Sequence, residues 1–485
     1  MIVRAHPLLW LLVAPLFLSA AAAPAAALTQ DELFNLTNVW MVHLTFPPEQ
    51  WKAIEPKQSG AGRGMFGQGS PRLLGREGGR NGVSAARGLE FDYVKADLEF
   101  GADKFTNVAV RYKGNGTYRR SEHSMKRSFK IDLNQFVPGQ KLAGMSKLNL
   151  HNNVTDASWM NEPLSHRLYR EAGVPAPRTG YARVYVTVPG TYEHEYFGLY
   201  SLVENIDNSF AEANFGTKKG AIFKPVTRDL FDDLGTDWAS YKQIYDAKTT
   251  LTKAQMQRVF DFAKLVTHAD NKQFATRVGE FLDLEEFARF MAVTVYLSTL
   301  DSILGMGQNF VVYLDPKSDK FQFLPWDLDN SFGQFPMSGG QQQREQLSLM
   351  QPWQGENSFI ARVFNVPAFQ KIYRARLTEF SRTIFQPARF TNQVDTVAAA
   401  IRGAVREESS EMLARFDKVV AGETVPRERP GAPGGRGGNG MRGGFGNVSA
   451  KPIKAFVPAR SQSVEDQLAG KSVGEIIQRG GMRGR

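Results

Sequence analysis

The sequence predicts an α+β fold in which a mostly antiparallel sheet comes first and a helical region follows. Two observations support this. Short segments rich in strand-forming residues, some alternating between apolar and polar side chains, fill the chain from about residue 89 to 205. From residue 253 onward, apolar residues recur at helical spacing instead. The chain has 485 residues, 42% of them hydrophobic and 22% charged, so it can bury a large core.

The first 27 residues have the layout of a secretory signal peptide. Arg4 and His6 form a short positive region, an apolar stretch covers residues 8–18, and an alanine-rich stretch covers residues 20–27. We expect cleavage after Ala27 and a secreted, periplasmic or cell-surface protein. An uncleaved membrane anchor is the alternative. Beyond residue 30 no apolar run reaches about 18 residues, so no membrane span is expected in the mature protein.

The formal net charge of +10 is concentrated in two segments rich in glycine and arginine. Residues 59–88 contain five arginines and one acid, and residues 424–485 contain eleven basic and four acidic residues. The rest of the chain is nearly neutral, so no specific nucleic-acid binding is predicted. We expect segments 59–88 and 424–450 to be solvated and disordered, with binding to an anionic surface polymer as the alternative. Residues 451–485 are predicted to be a tail with a short helical motif.

The chain contains no cysteine, which excludes disulfides, thiolate metal sites and iron–sulfur clusters. In the first half, one helix is predicted over residues 156–171, because Met160, Leu164 and Leu168 are four residues apart. The predicted strands of this half cover residues 89–100, 107–113, 127–133, 147–150, 181–188 and 196–205.

The second half is predicted to be mainly helical, with one hairpin. The hairpin strands are residues 310–314 and 321–324, joined by a turn over residues 315–319. The predicted helices cover residues 253–269, 284–300, 358–385 and 394–419.

An acidic cluster surrounds this hairpin. Asp301 ends a helix, Asn309 opens the first strand, and Asp327 and Asp329 follow the second. A tight hairpin brings its strand ends together, so Asn309 and Asp327 should converge, with Asp301 held over the same place by the loop of residues 302–308. Three carboxylates and an amide suit Mg²⁺, and no histidine cluster accompanies them as zinc would require.

Turn and capping chemistry is the alternative explanation for acidic and amide residues near a hairpin. For Asp315, Asp319 and Asn330 we favour that explanation. For Asp301, Asn309 and Asp327 we favour a metal site, because three oxygen ligands seldom meet through turn preference alone.

Several segments of this sequence resemble the spore-coat-protein-H (CotH) kinase family, over about residues 33–422. The resemblance implies a secreted, ATP- and Mg²⁺-dependent phosphotransferase with an atypical, two-lobed protein-kinase-like fold, in which an antiparallel N-terminal lobe precedes a mainly helical C-terminal lobe. The matching segments are VRYKGNGTY (110–118), KRSFKIDL (126–133), KLNLHNNVTDASWMNEPLSHRL (147–168), EAGVPAPRTGYARVYV (171–186), YFGLYSLVENID (196–207), GAIFKP (220–225), QNFVVYL (308–314), FLPWDLDNSFG (323–333) and SVEDQLAG (463–470).

The resemblance also implies roles for the acidic cluster. Asp301 matches the catalytic aspartate that accepts the proton of the substrate hydroxyl. Asp327, the first aspartate of PWDLD, matches the metal-binding aspartate, and Asp329 is a second candidate. Asn309 matches the asparagine that precedes the tyrosine-containing strand.

Five residues are candidates for binding the nucleotide. Lys130 is similar to the strand lysine that holds the α- and β-phosphates, with Glu162 as its partner. Proline is tolerated only in the first turn of a helix, so Pro163 predicts a helix start at Asn161 and a displaced Glu162. Each candidate also has an ordinary structural explanation, as a turn, strand or capping residue. The five candidates are Lys113, Lys130, Glu162, Glu204 and Lys224.

The favoured hypothesis is therefore a secreted kinase that transfers phosphate from ATP to serine or threonine hydroxyls of a protein. The alternative is a noncatalytic surface or matrix protein that keeps the kinase-like fold.

Overall fold

The structure is a computed structural model that describes residues 1–2, 28–58, 73–86, 88–114, 116–121, 124–426 and 451–478. Nearly all of the predicted signal peptide and nearly all of the glycine- and arginine-rich segment 424–450 lie outside the described residues. None of the helices within these ranges has the length and apolar character needed to cross a bilayer.

The described residues form an α+β fold, as the sequence predicts. Their strands are β1 Val39–Thr45, β2 Lys57–Gln58, β3 Leu89–Glu90, β4 Val94–Phe100, β5 Asp103–Tyr112, β6 Phe129–Asp132, β7 Lys147–His151, β8 Thr179–Val188, β9 Tyr192–Glu204, β10 Ala221–Phe223, β11 Phe310–Asp315 and β12 Lys320–Pro325.

A short 3₁₀ helix covers Trp238–Ser240. The α-helices of the described residues are α1 Gln30–Leu33, α2 Pro48–Ala53, α3 Val83–Ala86, α4 Gly116–Arg120, α5 Asn161–Glu171, α6 Asn208–Phe215, α7 Lys242–Tyr245, α8 Lys253–His268, α9 Asn271–Phe281, α10 Leu284–Tyr296, α11 Gln341–Glu345, α12 Ser358–Phe364, α13 Pro367–Arg382, α14 Pro387–Glu408, α15 Ser410–Val420 and α16 Ile453–Leu468.

Seven strands close into a barrel in the order β1-β4-β5-β6-β7-β9-β8. All neighbours pair antiparallel except β1 and β8, which are parallel and complete the ring. In β4 every second side chain, from Val94 to Phe100, is buried in the barrel interior. The sequence predicts a mostly antiparallel sheet whose first strand begins at residue 89, so β1 and the closure of the barrel are findings of the structure.

The helical region is built around α10 and the three-stranded sheet β10-β11-β12. Every residue of α10 from Glu286 to Tyr296 except Arg289 is buried, so this helix lies inside the helical core and has no solvent face. Two helices that the sequence predicts as continuous are interrupted. Pro367 begins α13 after a short α12, and Ser409 caps the start of α15 by accepting a hydrogen bond from Met412 N.

Part of one segment that was predicted to be solvated, and most of the predicted C-terminal tail, are packed against the core, while residues 59–72 and 87 lie outside the described residues. Residues 73–86 of the first glycine- and arginine-rich segment fold against the rest of the protein, with Leu73 in contact with Val226. Residues 453–468 form α16, whose Ile453 and Phe456 lie in the main helical core, so the folded domain extends beyond the predicted boundary at 422. Composition predicted solvation for residues 59–88, and a tail with a short helical motif for residues 451–485. A few well-spaced apolar side chains bury the described part of each segment.

Candidate active site

The β11–β12 hairpin brings the ends of its two strands together. Phe310 lies opposite Pro325, so the residues just outside this pair are Asn309 and Trp326, and Asp327 follows one residue later. Trp326 N donates a hydrogen bond to Asn309 O at 3.3 Å. Asn309 and Asp327 both have left-handed backbone conformations, with φ of 62° and 56°, which asparagine and aspartate adopt more readily than most residues. Strained positions of this kind often occur at functional sites.

The loop from residue 302 to 308 fixes Asp301 beside the hairpin. Gln308 Nε2 donates to Asp301 Oδ1 at 3.2 Å, and Asn309 Nδ2 donates to the Asp301 carbonyl at 2.9 Å. Gly307 has φ of 66° and lies against Thr227, where a Cβ would be 2.2 Å from the Thr227 carbonyl oxygen. Only glycine fits this close approach. Burial, and then the negative charge of Asp327, raise the pKa of Asp301 to about 6.

Asp327 and Asp329 have different surroundings. Asp329 accepts hydrogen bonds from Thr155 Oγ1 at 2.5 Å and from Asn330 Nδ2 at 2.9 Å. Burial and the Asp327 carboxylate raise the pKa of Asp329 well above its ordinary value. Within the described ranges, the Asp327 carboxylate accepts no hydrogen bond, although it lines the same cleft. It is therefore the carboxylate that is free to bind a ligand.

The Asn330 side chain connects Asp301, the candidate catalytic base, with Asp329, a candidate metal ligand. Its Nδ2 donates to Asp301 Oδ2 at 3.3 Å as well as to Asp329 Oδ1. The sequence assigned Asn330 to turn chemistry, and the structure corrects this, because the side chain bridges two carboxylates. Asp315 does have the predicted turn role, since it accepts hydrogen bonds from Lys317 N and Ser318 N.

The barrel contributes the opposite wall of the cleft. Lys113 follows β5, His151 ends β7, and Glu162 lies in the first turn of α5. His151 Nδ1 is 2.6 Å from Glu162 Oε2, and the Lys113 ammonium contacts His151 Nε2. The helix begins at Asn161, as Pro163 predicts, but this start brings Glu162 into the site instead of displacing it.

Burial and neighbouring charges shift the pKa values of the titratable residues in this wall. Burial opposes ionisation of Glu162, but His151 and His166 outweigh it and hold the pKa of Glu162 well below its usual range. Burial and the nearby Lys224 lower the pKa of Lys113 well below that of an ordinary lysine, although Asp327 opposes the shift. Oxygen or nitrogen atoms of His151, Glu162 and Asp327 lie within 4.8 Å of one another, so these residues could share a cation.

Lys113 and a second lysine, Lys224, face Asp327 across the cleft. Lys113 Nζ and Lys224 Nζ each lie 5.1 Å from the centre of the Trp326 ring, which therefore contacts both ammonium groups. Burial and then Lys248 lower the pKa of Lys224 to about 8. Arg80, from the first glycine- and arginine-rich segment, completes this group of cations.

Two of the predicted nucleotide-binding residues are not brought into this cleft. Lys130 Nζ donates to Asn205 Oδ1 at 3.0 Å and does not pair with Glu162, so the expected Lys130–Glu162 pair is not formed. Burial and then Arg111 lower the pKa of Lys130 to about 7. Glu204 accepts hydrogen bonds from Arg178 N at 3.0 Å and from the Arg178 guanidinium, so it serves as an internal ion-pair partner.

Sequence reasoning missed several residues of the cleft. His151 and Trp326 lie inside the quoted segments KLNLHNN and PWDLD, so the segments themselves were the available signal. Thr155, which orients Asp329, lies in the same stretch as His151. Arg80 has no comparable signal, because it stands in a segment whose composition suggested a solvated chain.

Comparison with known proteins shows the family of this chain. The family model described as CotH kinase protein matches residues 110–420, a range that contains Lys113, Glu162, Asp301 and Asp327. The chain is also similar to the inner spore coat protein H of Bacillus subtilis (strain 168), with 25% identity over 286 residues that cover 58% of this chain and 73% of the relative. Because the family model covers well over half of the sequence, this chain belongs to the CotH kinase protein family.

Proposed function

We propose that this protein is an ATP- and Mg²⁺-dependent protein kinase that phosphorylates serine or threonine hydroxyls. The observation that carries the proposal is the pairing of opposite charges in one cleft. Asp327 and Asp329 line one side, and Lys113 and Lys224 line the other. Phosphoryl transfer needs this combination, because catalysis depends on holding a metal and a polyphosphate in fixed relative positions. We further propose that the barrel and the helical region correspond to the two lobes of a kinase-like fold.

Asp301 is the proposed catalytic base. A pKa of about 6 makes it mostly ionised at neutral pH yet more basic than an ordinary aspartate, which suits proton acceptance from a hydroxyl. Gln308 and Asn330 each donate to one of its carboxylate oxygens and so fix its orientation. The carboxylate can then align the hydroxyl of the substrate for in-line attack on the γ-phosphate.

The acidic residues fit Mg²⁺. Asp327 offers an uncommitted carboxylate, Asp329 adds carboxylate oxygens on the same side of the cleft, and Asn309, whose Nδ2 donates to the Asp301 carbonyl, adds an amide oxygen. These are oxygen donors, which Mg²⁺ prefers. A bound Mg²⁺ would supply neutralisation of the phosphate charge. We assign Asp327 as the principal ligand, with Asp329 and Asn309 in supporting positions.

On the nucleotide side we assign the phosphates to Lys113 and Lys224. Both ammonium groups face Asp327 and contact Trp326, whereas Lys130 is engaged by Asn205. Glu162 acts through His151, which contacts Lys113 and thereby holds this lysine in the cleft. The Glu204 carboxylate already accepts hydrogen bonds from Arg178, so we do not include Glu204 among the nucleotide ligands.

We propose an exported location for the protein. The signal-peptide pattern over residues 1–27 supports it, and the similar Bacillus subtilis protein is named for the inner spore coat. The substrate is then an extracytoplasmic or surface protein, and the segment 424–450 binds an anionic surface polymer through its arginines.

The proposal is tested by incubating the purified protein with ATP and Mg²⁺ and locating phosphorylated serines and threonines by mass spectrometry. We expect autophosphorylation by the wild type and none by Asp327→Asn, which keeps the left-handed backbone but removes the metal-binding charge. Asp319→Asn is the matched control, because Asp319 is exposed in the turn of the same hairpin and also has a positive φ. No transfer by the wild type to itself or to any protein would favour the noncatalytic alternative.

A further inference from the structure

The segment of residues 73–86 spans the cleft between the barrel and the helical region. On the barrel side, Ser84 Oγ donates to Gly114 O at 3.2 Å, directly after Lys113. On the helical side, Asn81 Nδ2 donates to Gln243 O at 2.5 Å, and Gln243 Nε2 donates back to Gly75 O. A Glu77–Lys242 ion pair of 2.7 Å adds to this contact. The segment is thus fixed at both ends.

Arg80 is the charged side chain that this segment directs to the cleft. Its guanidinium lies 4.6 Å from the centre of the Phe91 ring, and Nη2 donates to Gly114 O at 3.4 Å. It lines the cleft together with Lys113, Lys224 and Asp327. Burial is the main cause that lowers the pKa of Arg80 to about 9, and Asp327 partly compensates.

We propose that Arg80 is a phosphate-binding residue, contributed to the active site by a segment outside the residues that the family model matches. This inference rests on the proposed function, because it names a ligand contact of the same cleft. Arg80, Lys113 and Lys224 line one cleft with the Asp327 carboxylate, so a polyanionic ligand bound there would meet more positive than negative side chains. The triphosphate of ATP supplies such an anion, and a guanidinium can contact it through two parallel hydrogen bonds.

The alternative is that Arg80 merely neutralises Asp327 and stabilises the segment. The two explanations differ in what they predict for ligand binding. A phosphate contact is lost only for ligands that carry phosphates, whereas a structural role changes stability and leaves affinities in place. Arg76 provides the matched control, because it lies in the same segment but is exposed and does not line the cleft.

The test is calorimetric titration of the full chain, in the presence of Mg²⁺, with ATP, tripolyphosphate and adenosine. For Arg80→Gln we expect the Kd of ATP and of tripolyphosphate to rise about 10- to 100-fold, the usual range for a lost charged hydrogen bond. Adenosine binding should stay unchanged. Arg76→Gln should match the wild type, and Arg80→Lys should fall between, because lysine keeps the charge without the planar fork.

The inference is overturned if Arg80→Gln and Arg76→Gln bind both phosphate probes equally, or if the wild type binds neither probe. If Arg80→Gln does not fold, Arg80→Lys against Arg76→Lys makes the same comparison. The outcome is separable from the proposed function. Binding that depends on Arg80, without phosphate transfer, would uphold this inference and refute the kinase proposal. Phosphate transfer by the wild type, together with unchanged phosphate binding by Arg80→Gln, would uphold the kinase proposal and refute this inference.

Discussion

Asp327 and Asp329 show how two aspartates two residues apart acquire different properties. Thr155 and Asn330 occupy the oxygens of Asp329, and burial favours its neutral form. The Asp327 carboxylate accepts no hydrogen bond from the described residues, and it faces Lys113 and Lys224 across the cleft. In the sequence analysis both aspartates are candidate metal ligands. The difference arises from partners at residues 155 and 330, and the first of these is distant in sequence.

The first prediction concerns Asp301. Asp301→Asn removes the proton acceptor while keeping the size of the side chain, so kcat should fall by about 10²- to 10⁴-fold, the usual contribution of a general base. The affinity for ATP should change little, because Asp301 is not assigned to holding the nucleotide. The measurements are steady-state phosphotransfer rates and nucleotide titration. Near wild-type turnover by Asp301→Asn would remove this residue from the mechanism.

The pH dependence follows from the same residue. Its pKa is raised to about 6, so the active carboxylate is present above that pH and is lost as the pH falls through it. In the wild type, kcat/KM should therefore rise between pH 5 and 7 with an apparent pKa near 6 and then level off. A flat profile across this interval would mean that another group supplies the base.

At the scale of elements, α16 is the segment whose role the sequence understated. Arg460 is fully buried and donates to the carbonyls of Val295, Tyr296, Glu345 and Leu347, which ties α16 to the end of α10 and to the chain after α11. Ser461 Oγ accepts from Tyr296 Oη at 2.5 Å. The helix thus supports the end of α10, a few residues before Asp301.

The second prediction tests this support. Arg460→Met should lower the free energy of unfolding by about 3 kcal/mol or more, because several buried carbonyls lose their donor at once. Arg402→Met is the control, since Arg402 is an exposed partner of Asp417 and its loss should leave stability nearly unchanged. Urea unfolding followed by circular dichroism measures both. Equal midpoints for the two variants would show that α16 is dispensable for the core.

At the scale of the whole molecule, the barrel and the helical region are held together beside the cleft. Glu408, the last residue of α14, accepts from Lys126 Nζ and from Leu199 N of β9 at 2.5 and 2.6 Å. Glu407 pairs with Arg183 of β8 at 3.1 Å. A buried pair of this kind fixes orientation more than it adds stability. It therefore helps to hold the two walls of the cleft at a constant separation.

The third prediction concerns the positive segment between residues 426 and 451. Replacing Arg427, Arg429, Arg436 and Arg442 by glutamine should weaken binding to an anionic polymer, and the difference should shrink as salt screens the charges. Melting temperature and autophosphorylation should not change. Substitution is preferable to deletion, because the segment connects α15 to the core helix α16. Elution from a heparin column at unchanged salt concentration would contradict the prediction.

Local sequence alone was enough to predict the α+β class, most strands and helices, and the hairpin that carries Asn309 and Asp327. These depend on local periodicity and on the geometry of one short hairpin, which nearby residues specify. The family resemblance of its segments also indicated the candidates Asp301, Asp327 and Glu162, although Pro163 led to the expectation that Glu162 would be displaced.

The remaining features depend on contacts between distant parts of the chain. Closure of the barrel pairs β1 with β8 across about 140 residues, and the wall opposite Asp327 combines side chains from the barrel, α5 and the segment that contains Arg80. Lys113 is in the site and Lys130 is outside it, although both lysines belong to the same part of the barrel. Local sequence cannot choose between them, because the choice depends on which side chains from distant parts of the chain meet when the core packs.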